Sequence, residues 1–237
     1  MDKNSQLNQL YITHWINLSS QLNLDENKDT FAMPFFIKLP EEINDPKAYK
    51  IMIFGQETWG WYDKCSLDNW IKIGMNEYEK FYLNRNGFKT SKNKKSSFWQ
   101  KFRFFEKELS KLIKNQERVP VFIWNNISKI GNSMGKTGVS DNNRLIERTH
   151  FSVIAKEIEI IKPDLCIFMS GPNRDHDIKY HFPSIEFRKA NDIDSIREMA
   201  VIECLGIKGL RLYHPSYFGG FNNTYKLRAL ESLTSML

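Results

Sequence analysis

Two segments of this chain concentrate side chains that can do chemistry. In IMIFGQETWGWYD, residues 51–63, an apolar run stops at Gly55, and Gln56, Glu57, Trp59 and Trp61 follow at once. In YHPSYFGGF, residues 213–221, the imidazole of His214 precedes a hydroxyl at Ser216 and two rings, Tyr217 and Phe218. Between them VFIWN ends on Asn125. A carboxylate can position water or offset the positive charge that develops on a sugar during glycoside cleavage. An imidazole can steady negative charge on a leaving group. An amide offers a donor beside an acceptor and so can read a base edge, and flat rings stack on a base that has left its helix. The set suits a nucleobase. Residue by residue, blander roles stay open: a solvated charge for Glu57, a turn or cap for Asn125, core packing for the tryptophans.

The elements around these residues set where they stand. Leu7, Leu10, Tyr11, Trp15, Leu18 and Leu22 recur every three or four residues and predict an amino-terminal helix, followed by the polar stretch NLDENKDT. Residues 48–54, VPVFIWN from Val119, DLCIFMSG, EMAVIECLG and GLRLYH read as strands. Helices are expected over 68–83, over SSFWQKFRFFEKELSKLIK, over 144–161 and over the carboxyl-terminal NNTYKLRALESLTSML. Ser97 and Gln100 have capping-box spacing, with Phe98, Phe102, Phe105, Leu109 and Leu112 as the apolar stripe behind them. Ile146, Val153, Ile154, Ile158 and Ile161 give the 144–161 helix one inward face, and Pro163 stops it. Asn222 or Asn223 caps the last helix. Strands alternating with helices predict a mainly parallel sheet of four or five strands with helices on both faces. Sites in such sheets lie beyond the carboxyl ends of the strands, here after Phe54, Trp124, Met169 and Tyr213. The loop after Met169 adds Ser170, Gly171 and Asn173 to the candidates. No repeat or boundary divides the chain, so residues 1–237 read as one domain with 1–30 as a helical extension.

The two chemical segments resemble motifs of the uracil-DNA glycosylases. GQETWG at 55–60 is similar to that family's water-activating GQDPYH, HPSYFGG at 214–220 to its HPSPLS, and VFIWN at 121–125 to the strand ending in the uracil-reading asparagine. The motifs keep the family's order, and the resemblance spans roughly residues 48–237. It implies a three-layer α/β/α sandwich and hydrolysis of the N-glycosidic bond of uracil, or a related damaged base, in single- or double-stranded DNA, as in base excision repair. By the same resemblance Glu57 activates water and His214 stabilises the base anion. Gln56, Trp59 and Asn125 shape and read the base pocket. Ser216 holds a phosphate, and Tyr217 and Phe218 fall where the family inserts a wedge. A monomer working without metal or other cofactor is implied. The chain departs from the pattern: Glu57 stands for aspartate, Thr58 for proline, Trp59 for tyrosine, and YFGGF is not the usual wedge. These changes favour an alternative, a glycosylase fold that binds nucleic acid or a base-like ligand without catalysis.

The composition agrees with a globular protein that meets a polyanion. Charged residues make up 26% and hydrophobic ones 41%, which excludes a disordered chain, and the formal net charge is +6. Eight cations lie between Lys80 and Phe105 with no acidic residue among them: Lys80, Arg85, Lys89, Lys92, Lys94, Lys95, Lys101 and Arg103. That run is either a phosphate-tracking surface or a solvated basic loop. Cys65, Cys166 and Cys204 are scattered and odd in number, which argues against a disulfide framework or a zinc ribbon and for core packing. The first residues lack the shape of a signal peptide, and no apolar run reaches membrane-spanning length, so a cytoplasmic protein is expected. GNSMGKTG at 131–138 misses the phosphate-loop spacing by one residue, leaving nucleotide hydrolysis the weakest reading. His176 and His181 read as loop residues rather than metal ligands, and His14 and His150 as helical.

Overall fold

The computed structural model describes residues 1–24, 32–58, 61, 70–132 and 138–237, without the side chains of 22–24. Trp59, Cys65, the polar stretch after the first helix, residues 68–69 and residues 133–137 of GNSMGKTG lie outside the described residues. In chain order the elements are α1 (Lys3–Leu24), β1 (Ala48–Gly55), α2 (Trp70–Tyr78), α3 (Ser91–Lys95), α4 (Ser97–Asn115), β2 (Val119–Asn126), α5 (Asp141–His150) and α6 (Ile154–Ile161). They continue with β3 (Leu165–Phe168), α7 (Asp175–His181), β4 (Arg188–Lys189), β5 (Met199–Cys204), β6 (Ile207–Leu212) and α8 (Asn223–Thr234). Among the described residues no helix is long and apolar enough to cross a membrane. The described chain groups into two compact units, each assembled from three separate segments.

The first unit comprises Met1–Leu39, Gln56–Asn84 and Asn126–Ile161. The Asp2 carboxylate accepts from the Ser5 amide at 3.0 Å and so starts α1. Leu7, Tyr11 and Leu18 bury the expected face of that helix, which packs on α5 and α6. Residues 144–161 are two helices rather than one. The chain leaves helical geometry at Phe151, φ −137° and ψ 40°, while α5 starts earlier, capped by Ser140. The break lets the buried Phe151 ring meet Phe36 edge-on at 5.8 Å and stack on Tyr11 at 6.3 Å. A straight helix would spread those residues over successive turns, so burial outweighs two turns of helical continuity. α2 runs into a π-helical turn, Glu79–Leu83, within the stretch expected to be plain helix.

A charged cluster fills this unit's interior. Lys129 and Glu157 have no exposed side-chain surface, and Nζ lies 2.7 Å from Glu157 Oε1. The Tyr11 hydroxyl donates to that same oxygen at 2.6 Å and accepts from the Ile37 amide at 3.1 Å. Glu147 accepts the Lys129 and Ile130 amides at 2.7 and 3.1 Å. Burial lowers the Lys129 pKa, and the two carboxylates oppose the shift. Such a cluster costs much desolvation and holds only because each polar atom named here has a partner.

The second unit comprises Pro40–Gly55, Arg85–Asn125 and Lys162–Leu237. Its sheet has six strands in the order β2-β1-β3-β6-β5-β4. That exceeds the expected four or five, because β4 is a two-residue edge strand too short to show a period. β1, β3 and β6 are mutually parallel, with Ile51 opposite Leu165 and Cys166 opposite Gly209. β2 runs alongside β1 in the same sense, since the Val119 amide donates to Lys47 and the Ser128 amide to Gln56 at one constant offset. β5 returns antiparallel through a turn at Leu205 and Gly206, φ 52° and 79°. Positive φ at both positions is what a two-residue hairpin needs.

Packing holds that register. Phe54 and Phe168, side by side in neighbouring strands, stack at 4.3 Å. Gly209 is tightly packed, since a Cβ would lie 3.0 Å from the Cys166 carbonyl oxygen. Cys166 and Cys204 are buried packing residues, as expected. α4 is capped by Ser96, whose hydroxyl accepts from Trp99, not by Ser97. α3 ends at Lys95, so the chain needs its one extended residue there, and Gln100 turns back to the Lys94 carbonyl instead. Ile113 rather than Leu112 completes the buried stripe of α4 behind Phe102, Phe105 and Leu109. Asn222 caps α8 by accepting from Tyr225. His176 and His181 lie in α7, not in a loop.

Candidate functional site

In the second unit the parallel strands place their carboxyl ends along one edge of the sheet. In the second unit β2 delivers Asn125, fully buried, with its side-chain amide 3.5 Å from Met52 Sδ. β6 delivers His214. The turn after it is wound tightly: the Tyr217 amide donates to the His214 carbonyl at 2.8 Å and the Gly220 amide to Tyr217 at 3.1 Å.

His214 is the best-defined group of this loop. Its Nδ1 accepts from the Ser216 backbone amide at 3.2 Å. In the neutral ring the proton then sits on Nε2, which is left as a donor. Lost hydration, and secondly the Arg174 guanidinium, push its pKa down from the ordinary 6.5 to about 4. The ring is therefore neutral at physiological pH. β3 supports it from beside. Gly171, at φ +76°, donates its amide to Leu212 at 2.9 Å, and a Cβ on it would lie 3.2 Å from the His214 nitrogen. Glycine alone lets the two strand ends approach this closely.

Arg174 was not among the sequence candidates. It is buried, and its guanidinium holds Asp177 at 3.0 Å. The available signal was an arginine two residues past a glycine–proline turn at a strand end. Of the other residues after β3, Ser170 is buried and Asn173 exposed.

Ser216, Tyr217 and Phe218 are exposed. The Tyr217 ring stacks on Tyr213 at 4.7 Å and 12°, while Phe218 is 100% exposed. Gly219 takes φ +72°, and a side chain on Gly220 would collide with the Tyr217 ring. Phe221 turns back inside, against Tyr225 at 5.0 Å and Phe105 at 6.4 Å. The two glycines thus fold a turn that holds one phenylalanine in solvent and plants the next in the core.

In the first unit Gln56 and Glu57 follow β1 directly and are partly buried. The Gln56 carbonyl accepts from Ser128 at 2.9 Å. Glu57 Oε1 accepts from the Gly138 amide at 2.8 Å, so one carboxylate oxygen is engaged by the protein. Gly138 has φ +92°, and its carbonyl accepts from Asn132 at 2.9 Å. Gly131 lies so near Thr58 that a Cβ would strike its carbonyl oxygen. The buried Trp61 packs edge-on against Phe35 and Phe81, which makes it a core residue rather than a stacking platform.

The structure thus puts Gln56 and Glu57 in one unit, and Asn125, His214, Ser216, Tyr217 and Phe218 in the other. Within the second unit, His214, Ser216, Tyr217 and Phe218 form one turn, and Gly171 packs against it. Among the described residues no group of three or more His, Cys, Asp or Glu side chains could hold a metal ion. No protein-family model matches the chain, and no curated protein is detectably similar to it.

Proposed function

We propose that this chain is a DNA glycosylase that hydrolyses the N-glycosidic bond of uracil or a related damaged base. The observation that carries the reading is His214: neutral, with Nδ1 held by the Ser216 amide and Nε2–H without a partner among the described residues. A neutral donor aimed at an oxygen that becomes negative as the base leaves stabilises the transition state more than the ground state. The resemblance of GQETWG and HPSYFGG to glycosylase motifs, and the sheet of mixed α/β type, support it.

In this reaction the C1′–N bond breaks and its electrons leave with the base. Water adds to C1′, its oxygen forming the new bond, and the proton it loses ends on the departed base anion. Glu57 is the residue for orienting that water and offsetting the cationic sugar. Gln56, Trp59 and Asn125 read the base, Ser216 and backbone amides hold phosphates, and Tyr217 with Phe218 fill the place of the extruded nucleotide.

The test is a labelled oligonucleotide carrying one uracil, incubated with the protein and then treated with alkali. Strand scission by the wild type, sharply reduced in Glu57→Ala and in His214→Ala, is expected. Absence of scission on both single- and double-stranded uracil DNA would overturn uracil as the substrate. One observation favours the binding-only alternative: Glu57 is a glutamate that spends one oxygen on Gly138. Tight binding to an abasic or uracil strand without scission is its signature.

A further inference from the structure

The basic run of 80–105 has a partner outside itself. Lys101 on α4 sets its ammonium 6.0 Å from the centre of the Phe221 ring. Lys226 on α8 sets its own 4.4 Å from the centre of Phe104, on α4. The two helices pack together, with one cation–π contact from α8 to α4 and one from α4 to the loop that leads into α8. Among the described residues neither ammonium has a carboxylate partner; Lys226 donates to the neutral Asn223 side chain, at 3.1 Å. Burial, and then the charge of Lys226, both lower the pKa of Lys101. Two cations held near each other without an anion make a surface short of negative charge. Lys101 is positioned by Phe221, three residues beyond the fully exposed Phe218.

We infer that Lys101 and Lys226 form a phosphodiester clamp, which grips the backbone of a single strand whose neighbouring base stacks on Phe218. Lysines for phosphates beside an exposed ring for a base are what a single strand requires. An acidic peptide would be served by the charges but not by the solvent-facing phenylalanine. This rests on the reading that the chain acts on DNA. It adds a grip outside GQETWG and HPSYFGG, and it answers which part of the basic run faces the motif loop.

The test is the anisotropy of a short fluorescein-labelled oligothymidylate, which holds no uracil, titrated with protein at several salt concentrations. In wild type, log K should fall steeply with log salt. Lys101→Gln and Lys226→Gln should each flatten the slope by about 0.7, the single-strand value per phosphate contact, and the double variant by about 1.4. Lys208→Gln, exposed at the start of β6, the end of that strand away from His214, should change nothing. Arginine at either position should restore the slope. If the glutamine variants only lower the unfolding midpoint and keep the wild-type slope, the lysines are helix staples and the clamp is wrong. Equal competition by polyglutamate would overturn the strand as partner. The uracil assay separates the two readings: scission with unchanged slopes rejects the clamp alone, and flattened slopes without scission reject the glycosylase alone.

Discussion

Lys129 and His214 are both titratable groups deprived of water, and the protein treats them in opposite ways. Lys129 is wholly buried with a carboxylate at 2.7 Å, a second carboxylate nearby and a tyrosine bound to the same acceptor. His214 is partly buried beside a cation, Arg174, so its surroundings penalise rather than compensate a charge. The first arrangement keeps a charge inside by pairing it. The second keeps a ring neutral and, among the described residues, leaves a donor uncommitted. A fully matched network serves stability and uniqueness, while a mismatched one near a strand end is the mark of a site.

The largest effect that could break this comparison belongs to the buried pair. Glu157→Ala leaves Lys129 as an uncompensated charge and should cost about 3–5 kcal/mol of unfolding free energy in a urea titration. Replacing both, Lys129→Met with Glu157→Leu, should recover most of that loss. Equal losses in the single and double variants would mean the pair stabilises through its attraction and not through mutual satisfaction. On the other side, His214→Ala should lower uracil excision by about 10²–10³-fold, the size found for removing one donor to a developing anion, with the fold intact by circular dichroism.

The next test concerns pH. The folded pKa of His214 lies below its ordinary 6.5, at about 4, so the unfolded chain takes up this proton first as the pH falls. The His214 contribution is therefore intact above about pH 6.5 and is lost progressively towards pH 4. Urea unfolding at pH 7 and pH 5 should show a larger drop for wild type than for His214→Asn; identical drops would contradict a neutral, desolvated ring. Arg174→Gln should move the His214 midpoint upward in a side-chain NMR titration, by less than full exposure of the ring would, because lost hydration is the larger cause. The smallest expected effect is on Phe218. With its ring 100% exposed, Phe218→Ala should leave stability within about 0.5 kcal/mol, while weakening the binding of single-stranded DNA. A clear loss of stability would show that the ring packs in solution and is not held out for a ligand.

Much of this was legible in the residues. The strands around Phe54, Trp124 and Phe168 were plain, because each is a short apolar run with a turn or glycine after it, and periods of two or of continuous burial survive any tertiary context. A cap at Asn222 or Asn223 and the stop before Pro163 were equally local, and the structure selects Asn222. The division of 144–161 into α5 and α6 was not, because its apolar spacing fits one helix and only the burial of Phe151 against Tyr11 and Phe36 breaks it. Two-residue β4 carries no period to read.

For the candidate site, the residue types and their order at strand ends were in the chain from the start: Gln56, Glu57, Asn125, His214, Ser216, Tyr217 and Phe218. Their states were not. That Nδ1 of His214 is an acceptor, that a carboxylate oxygen of Glu57 belongs to Gly138, and that Lys101 faces Phe221 all rest on contacts between distant stretches. Arg174 beside His214 is of the same kind, forty residues away along the chain and adjacent only because β3 and β6 are neighbours in the sheet. Side-chain chemistry and short-range pattern are properties of residue type and spacing, and a sequence carries them directly. Protonation, burial and the choice of partner depend on what is brought alongside, and that is set when the strands pair and the core closes.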